Sequence, residues 1–274
     1  MPIMLKKQNK MSRNIILLLV VSFFFHLSCS HNTADEAKMQ EYLRTISIAE
    51  KQYQSAYWID RRNAVNLASK YPYSRTEKFL QKASSDPYNK VRIEAVRSLA
   101  LFNTPSTISV LSEIAQLKND YVIRLEALNV LAEFKSPACA DIFIFSYDDA
   151  NWMIREAAVK GLFSIDHAKI GRIQNEYFPM VISDDSISVR IAALNSLSYR
   201  DVQAYPLIRA ELLKKENLQK YTYLCALLSA LEGFVIDPEL SVRIKELLVS
   251  LNAEVRVRSL KVLKKSAEIS DNME

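Results

Sequence analysis

One nine-residue phrase is written four times in this chain: VRIEAVRSL from Val91 to Leu99, IRLEALNVL from Ile123 to Leu131, IREAAVKGL from Ile154 to Leu162 and VRIAALNSL from Val189 to Leu197. Anchored on the arginine, the copies fall at Arg92, Arg124, Arg155 and Arg190, spaced by 32, 31 and 35 residues. Weaker copies extend the series both ways. DRRNAVNLA places Arg61 and Ala64 31 residues before Arg92 and Ala95, and VRVRSLKVL places Arg256 66 residues after Arg190. The midpoint of that last gap is Tyr223, where Ala226 keeps its place and the arginine is lost. Seven copies at this period predict a stack of like units, each burying its apolar face against its neighbours.

Helical geometry explains the phrase. At 100° per residue, the apolar residue before the arginine, the alanine three later, the aliphatic residue four later and the leucine seven later share one sector with the arginine. Ala64, Ala95, Ala127, Ala158, Ala193 and Ala226 then form a column where small side chains let neighbouring helices cross closely. The arginine is a cation in a buried sector and in the first helical turn, where the macrodipole disfavours positive charge. It needs an acid. Asp86, Asp149 and Asp184 lie six residues before Arg92, Arg155 and Arg190, and Asp120 lies four before Arg124. A turn carboxylate bridging to the guanidinium, within a unit or across to the next, satisfies both charges.

The recurrence of turn Asp, then Val-Arg, then Ala, then Leu over roughly residues 57 to 268 resembles the HEAT-repeat family, in particular its short bacterial versions. The resemblance implies an all-α fold, a right-handed α-solenoid of about seven antiparallel helix pairs, with the phrase on the second helix of each pair. Two features depart from the family: the period is shorter than its usual ~40 to 47 residues, and the Tyr223 unit breaks the Asp–Arg ladder. The scarcity of glycine, three in 274 residues, agrees with a mostly helical chain. Thr104-Pro105, Ser136-Pro137 and Asp237-Pro238 read as starts of first helices, a capping residue followed by proline. The expected divisions are a solenoid over 34–268, opened by a capping helix at 34–56, and a frayed polar tail at 269–274.

Upstream lies a different composition. Residues 1–28 carry Lys6, Lys7, Lys10 and Arg13 and no acid, so of the net +5 only +1 remains beyond them, 32 bases against 31 acids. The apolar run Ile15 to Leu27 is shorter than the ~20 residues of a spanning helix and follows a basic opening, as in a secretory signal. Translation from Met11 would preserve that pattern. The sequence Leu27-Ser28-Cys29-Ser30 resembles the lipobox of bacterial lipoproteins, which implies signal removal after residue 28, acylation of Cys29 and a short tether at 29–33. His26 departs from the aliphatic residue usual at that place, so simple cleavage or an uncleaved anchor stays open. Acyl chains would hold the domain on the bacterial envelope membrane at ~0.8 kcal/mol per buried methylene.

Catalytic patterns are missing. His26, His31 and His167 have no metal-ligand spacing, and no Gly-rich phosphate loop or nucleophile elbow occurs. Cys139 and Cys225 read as small buried hydrophobes. The doublets Asp148-Asp149 and Asp184-Asp185 read as caps joined to the arginine bridge. The expectation is therefore no enzyme, no cofactor and no metal, but a scaffold binding a protein partner. Candidate contact residues are the positions two before the arginine and two, five and nine after it. The five-after column, Arg97, Asn129, Lys160 and Asn195, can bond a partner's backbone. Tyr88, Tyr121 and Trp152, just before their arginines, form a second strip that serves either binding or packing at the helix entry. The alternatives are an accessory or lyase-like subunit, since short HEAT-like arrays occur in phycobilin lyases, and nucleic-acid binding, which a near-neutral mature charge disfavours.

Overall fold

The computed structural model describes residues 35–118, 120–197 and 204–271. The leader, Cys29, the tether and Tyr199 lie outside these described residues. Fourteen α-helices among the described residues form seven pairs. These are α1 (35–52) with α2 (Trp58–Ala68), α3 (Ser74–Ala83) with α4 (Asn89–Ser98), α5 (Pro105–Ala115) with α6 (Tyr121–Phe134), and α7 (Ala140–Tyr147) with α8 (Trp152–Phe163). There follow α9 (Ala168–Val181) with α10 (Ile187–Ser196), α11 (Tyr205–Leu213) with α12 (Tyr221–Leu231), and α13 (Pro238–Glu246) with α14 (Ala253–Asp271).

The even-numbered helices carry the repeated phrase, and each packs on the next from α2 through α14. The reason is the alanine column: Ala64, Ala95, Ala127, Ala158 and Ala193 are buried to 1 % or less, and Ala226 to 6 %. Odd-numbered helices make the second layer, with α3 on α5, α5 on α7 and α11 on α13. The protein is thus an all-α solenoid. Two first helices, α5 and α13, start as their sequence predicts: the Thr104 hydroxyl accepts from the Thr107 N–H and the Asp237 carboxylate from the Leu240 N–H, each followed by proline, whereas Ser136 accepts from the Ala138 N–H at a short 3-10 turn, Pro137–Cys139, that leads into α7.

α1 closes one end by burying Tyr42, Ile46 and Ala49, with the Tyr42 ring 4.3 Å from that of Tyr73. At the other end α14 runs to Asp271, so residues 269–271, expected in the frayed tail, continue the helix. Cys139 is buried and Cys225 half-buried; both are free and belong to different halves of the core.

Two glycines show opposite logic. A Cβ on Gly161 of α8 would meet the Phe143 ring of α7 at 2.2 Å, so this helix pair is set as close as glycine allows. A Cβ on Gly171 of α9 would meet nothing within 4 Å. Gly161→Ala is therefore expected to destabilise the protein by about 1–3 kcal/mol through overpacking. Gly171→Ala should stabilise it by about 0.4–1 kcal/mol through helix propensity and a less free unfolded chain. Urea unfolding of the two variants checks both signs.

Candidate binding surface and the ladder that shapes it

Four of the repeat arginines, Arg61, Arg92, Arg124 and Arg155, reach forward, out of their own units. Arg61 donates from Nε and Nη2 to the two Asp86 carboxylate oxygens at 2.8 and 3.0 Å, and Arg155 does the same to Asp184 at 2.9 Å twice. Arg92 donates to Asp120 at 2.7 Å, and Arg124 is bonded to Asp149. The remaining guanidinium nitrogen turns back. Nη1 of Arg92 donates to the carbonyls of Asp86 and Pro87 at 3.1 and 3.3 Å, and Nη1 of Arg61 and Arg155 binds the same two places in their own turns. Side-chain pairing therefore runs across units, and backbone pairing within them.

The aspartates are equally occupied. Asp86, Asp149 and Asp184 each accept, at 2.8 Å, from the N–H two residues on, which fixes the turn. Tyr53 and Tyr147, each eight residues before its arginine, help to hold the Asp86 and Asp184 carboxyls in their charged form. Arg124 departs because Asp120 lies only four residues back: Asp120 caps α6 by accepting from the Ile123 N–H, and Arg124 Nε donates to the Ala115 carbonyl instead.

Burial by itself would raise the carboxyls of Asp86 and Asp184, but hydrogen bonds from the arginines and turn N–H groups outweigh it and leave both below their ordinary value of 3.8. Side-chain exposure of 14 % and 1 % for Arg61 and Asp86, and 17 % and 5 % for Arg155 and Asp184, keeps these pairs out of bulk solvent.

Arg190 does not follow the ladder expected of it. Among the described residues its ion-pair partner is Glu211 of α11 at 3.9 Å, beyond a hydrogen bond, and its guanidinium lies 4.9 Å from the Tyr223 ring centroid. Tyr223 stands in the arginine's place and donates its hydroxyl to Glu211 at 3.0 Å. Asn217, six residues before it, stands in the aspartate's place and donates to the Glu211 carbonyl and carboxylate at 2.8 and 3.1 Å. Lys214 completes the ring of donors around Glu211. The register of Asn217 to Tyr223 marks this substitution in the sequence; Glu211 carries no such mark. Beyond it the connection moves to the first helices, where Arg209 and Tyr205 both bind Asp237, at 2.7 and 2.8 Å.

Above this frame, all four members of the five-after column, Arg97, Asn129, Lys160 and Asn195, are exposed. Their surroundings differ. Arg97 is bridged to Glu126 on the next second helix and Lys160 to Glu156 at 2.6 Å, whereas the Asn129 and Asn195 side chains have no partner among the described residues. The two-after positions are not part of the open wall: Ala157 and Ala192 are buried, and half-buried Glu94 and Glu126 pair with Arg62 and Arg97 of the preceding unit. The close crossing along the alanine column turns those positions into the joint. The column stops at the sixth unit, where Leu228 occupies the place and is buried.

Tyr88, Tyr121 and Trp152 are 38 %, 49 % and 44 % exposed. Tyr88 packs on the preceding unit, stacked on Trp58 at 4.6 Å with the Lys90 ammonium 5.0 Å from the Trp58 ring. Tyr121 opens instead on a groove between the third and fourth units, shared with Gln116, Phe145, Asp148 and Asn151. Among the described residues no three His, Cys, Asp or Glu side chains are placed to hold a metal ion.

Residues 47–131 match the family model of HEAT repeats. A search of curated proteins found no relative that matches. Among solved structures, the chain is similar to YibA of E. coli, at 18 % identity and a TM-score of 0.60 over 82 % of each chain. It is similar to Kap121p bound to RanGTP, at 18 % identity and a TM-score of 0.54, over 85 % of this chain and 27 % of that one. The complex of CpcE and CpcF of phycocyanin lyase from Nostoc sp. matches at 18 % identity and a TM-score of 0.46, over 81 % and 94 %. At these identities the likeness is one of fold.

Arg155→Leu leaves Asp184 buried without its cation, and is expected to cost about 3 kcal/mol of stability. Arg97→Ala, at an exposed pair, should cost less than about 1 kcal/mol. Equal losses in thermal and urea unfolding would contradict the ladder's role. Acid provides a second check. Because the folded carboxyls of Asp86 and Asp184 sit below 3.8, their contribution is complete above that value and is lost as the pH falls through the lowered ones. The melting temperature should hold down to about pH 5 and fall below about pH 4.

Proposed function

We propose that this solenoid is a non-enzymatic scaffold, anchored in the bacterial envelope by acyl chains on Cys29, whose second-helix wall holds a protein partner. The observation that carries the binding reading is the pair Asn129 and Asn195, exposed amides with no side-chain partner among the described residues, in one column with Arg97 and Lys160. The column lies clear of the ladder, the alanine column and the two-after joints, so it can vary without disturbing the stack. Amides offer both donor and acceptor to an extended backbone, and flanking charges set its register. Tyr121 and Trp152 at the helix entries supply aromatic surface of the kind that anchors interfaces. A solenoid of like fold, Kap121p, is seen bound to RanGTP.

The address rests on the basic, then apolar leader and on Cys29. Intact mass of membrane-extracted protein should begin at Cys29 with added acyl mass, absent from the Cys29→Ala form; an unprocessed chain would overturn the anchor. For the wall, Asn129→Ala combined with Lys160→Ala should abolish capture of the partner with an unchanged melting temperature. Retained capture would remove this column from the binding surface.

A further inference from the structure

The acidic doublets are only half used by the ladder. Asp149 and Asp184 take the arginines, while their neighbours Asp148 and Asp185 are exposed and have no hydrogen bond or ion pair among the described residues. Beside each stands an aromatic side chain that is also uncommitted. Tyr121 shares its groove with Asp148 and with Phe145, a phenylalanine left 56 % exposed. Trp152 lies one turn before Arg155, and Asp185 is near enough for its charge to favour the charged guanidinium there.

The first joint of the same array shows what such a place takes. Trp58 lies three residues before Arg61, as Tyr121 and Trp152 lie three before Arg124 and Arg155. The following unit covers it: the Tyr88 ring stacks on it at 4.6 Å and the Lys90 ammonium sits 5.0 Å from its centroid. In the units that follow Tyr121 and Trp152, the places of Tyr88 and Lys90 hold Asn151 and Met153, then Ser186 and Ser188. Among the described residues no second ring and no cation reaches Tyr121 or Trp152. Lys118, exposed on the lip of the Tyr121 groove, makes no ion pair or ring contact there either. The array thus repeats the aromatic, omits its cation and adds an open carboxylate.

We infer that these two helix entries receive lysine or arginine side chains of the protein partner, which rests on reading the entries as contact surface. Each cation lies on an aromatic face with a carboxylate as counterion, Tyr121 with Asp148 and Trp152 with Asp185. The apolar stem of the first packs on Phe145. Spacing follows from the stack: neighbouring helices lie about 8–10 Å apart, the span of about three residues of extended chain. The partner segment is therefore extended and basic, with its cations three residues apart.

The probe is a fluorescein-labelled peptide of four Lys-Ser-Ser repeats, titrated against the purified full chain by anisotropy at fixed ionic strength. Saturable binding is expected, about tenfold tighter than for the same lysines gathered at one end, with none for Glu-Ser-Ser repeats. Asp148→Asn with Asp185→Asn should weaken it about tenfold or more, as should Tyr121→Ser with Trp152→Ser. Both carboxylates are open and unpaired, so the Asn pair should leave the melting temperature unchanged, which separates lost docking from lost folding. No binding, equal affinity for the gathered lysines, or affinity indifferent to either pair of substitutions would each overturn the inference. Asn129→Ala with Lys160→Ala reports on the wall separately: a peptide released by that pair and kept by the entry variants would leave the wall standing and this inference overturned.

Discussion

The stack depends on a guanidinium that faces two ways. Each ladder arginine ties the backbone of its own turn and the side chain of the next, so one residue fixes both the shape of a unit and its distance from its neighbour. A point charge could not do this; the planar fork of arginine offers parallel donors to a carboxylate and a third direction for carbonyls. The cost of burying the cation near a helix N-terminus is met by the aspartate, whose own desolvation is offset by a turn N–H and, at Asp86 and Asp184, a tyrosine hydroxyl. Specificity of register follows. A unit slipped by one residue would leave both charges buried and unmatched.

The sixth unit shows what happens when one half of the device is replaced. Tyr223 donates its hydroxyl to Glu211, Asn217 offers an amide where the other units have a carboxylate, and Ser250 holds the aspartate's place in the next unit, so the charge moves to Glu211 on the first helix and the onward link passes to Arg209 and Asp237. The helices keep their stacking because Ala226 and Leu227 still pack. Packing and ion pairing are thus separable along this array: the alanine column sets how close the helices lie, and the polar ladder sets their register.

That separation also leaves two kinds of free surface. On the wall, the joints consume the two-after positions and part of the five-after column, leaving Asn129 and Asn195 uncommitted. At the helix entries, each doublet gives one aspartate to the ladder, which leaves Asp148 and Asp185 open beside Tyr121 and Trp152.

The sequence determined the all-α class, the seven units, the alanine column, the capping of α5 and α13 and, short of Arg190, which arginines and aspartates make the ladder, because each is written in a local period that helical geometry converts directly into a face. Cys29 and its address rest on sequence alone. What only the tertiary structure decided is which way each arginine turns, since an acid six residues back and one some 25 to 29 residues ahead are both within its chemistry and only the packing distance between units selects the second. The same holds for Glu211, whose role exists only once α11, α12 and Arg190 are brought together, and for Ala157 and Ala192, which a single helical wheel places in solvent and a neighbouring helix buries.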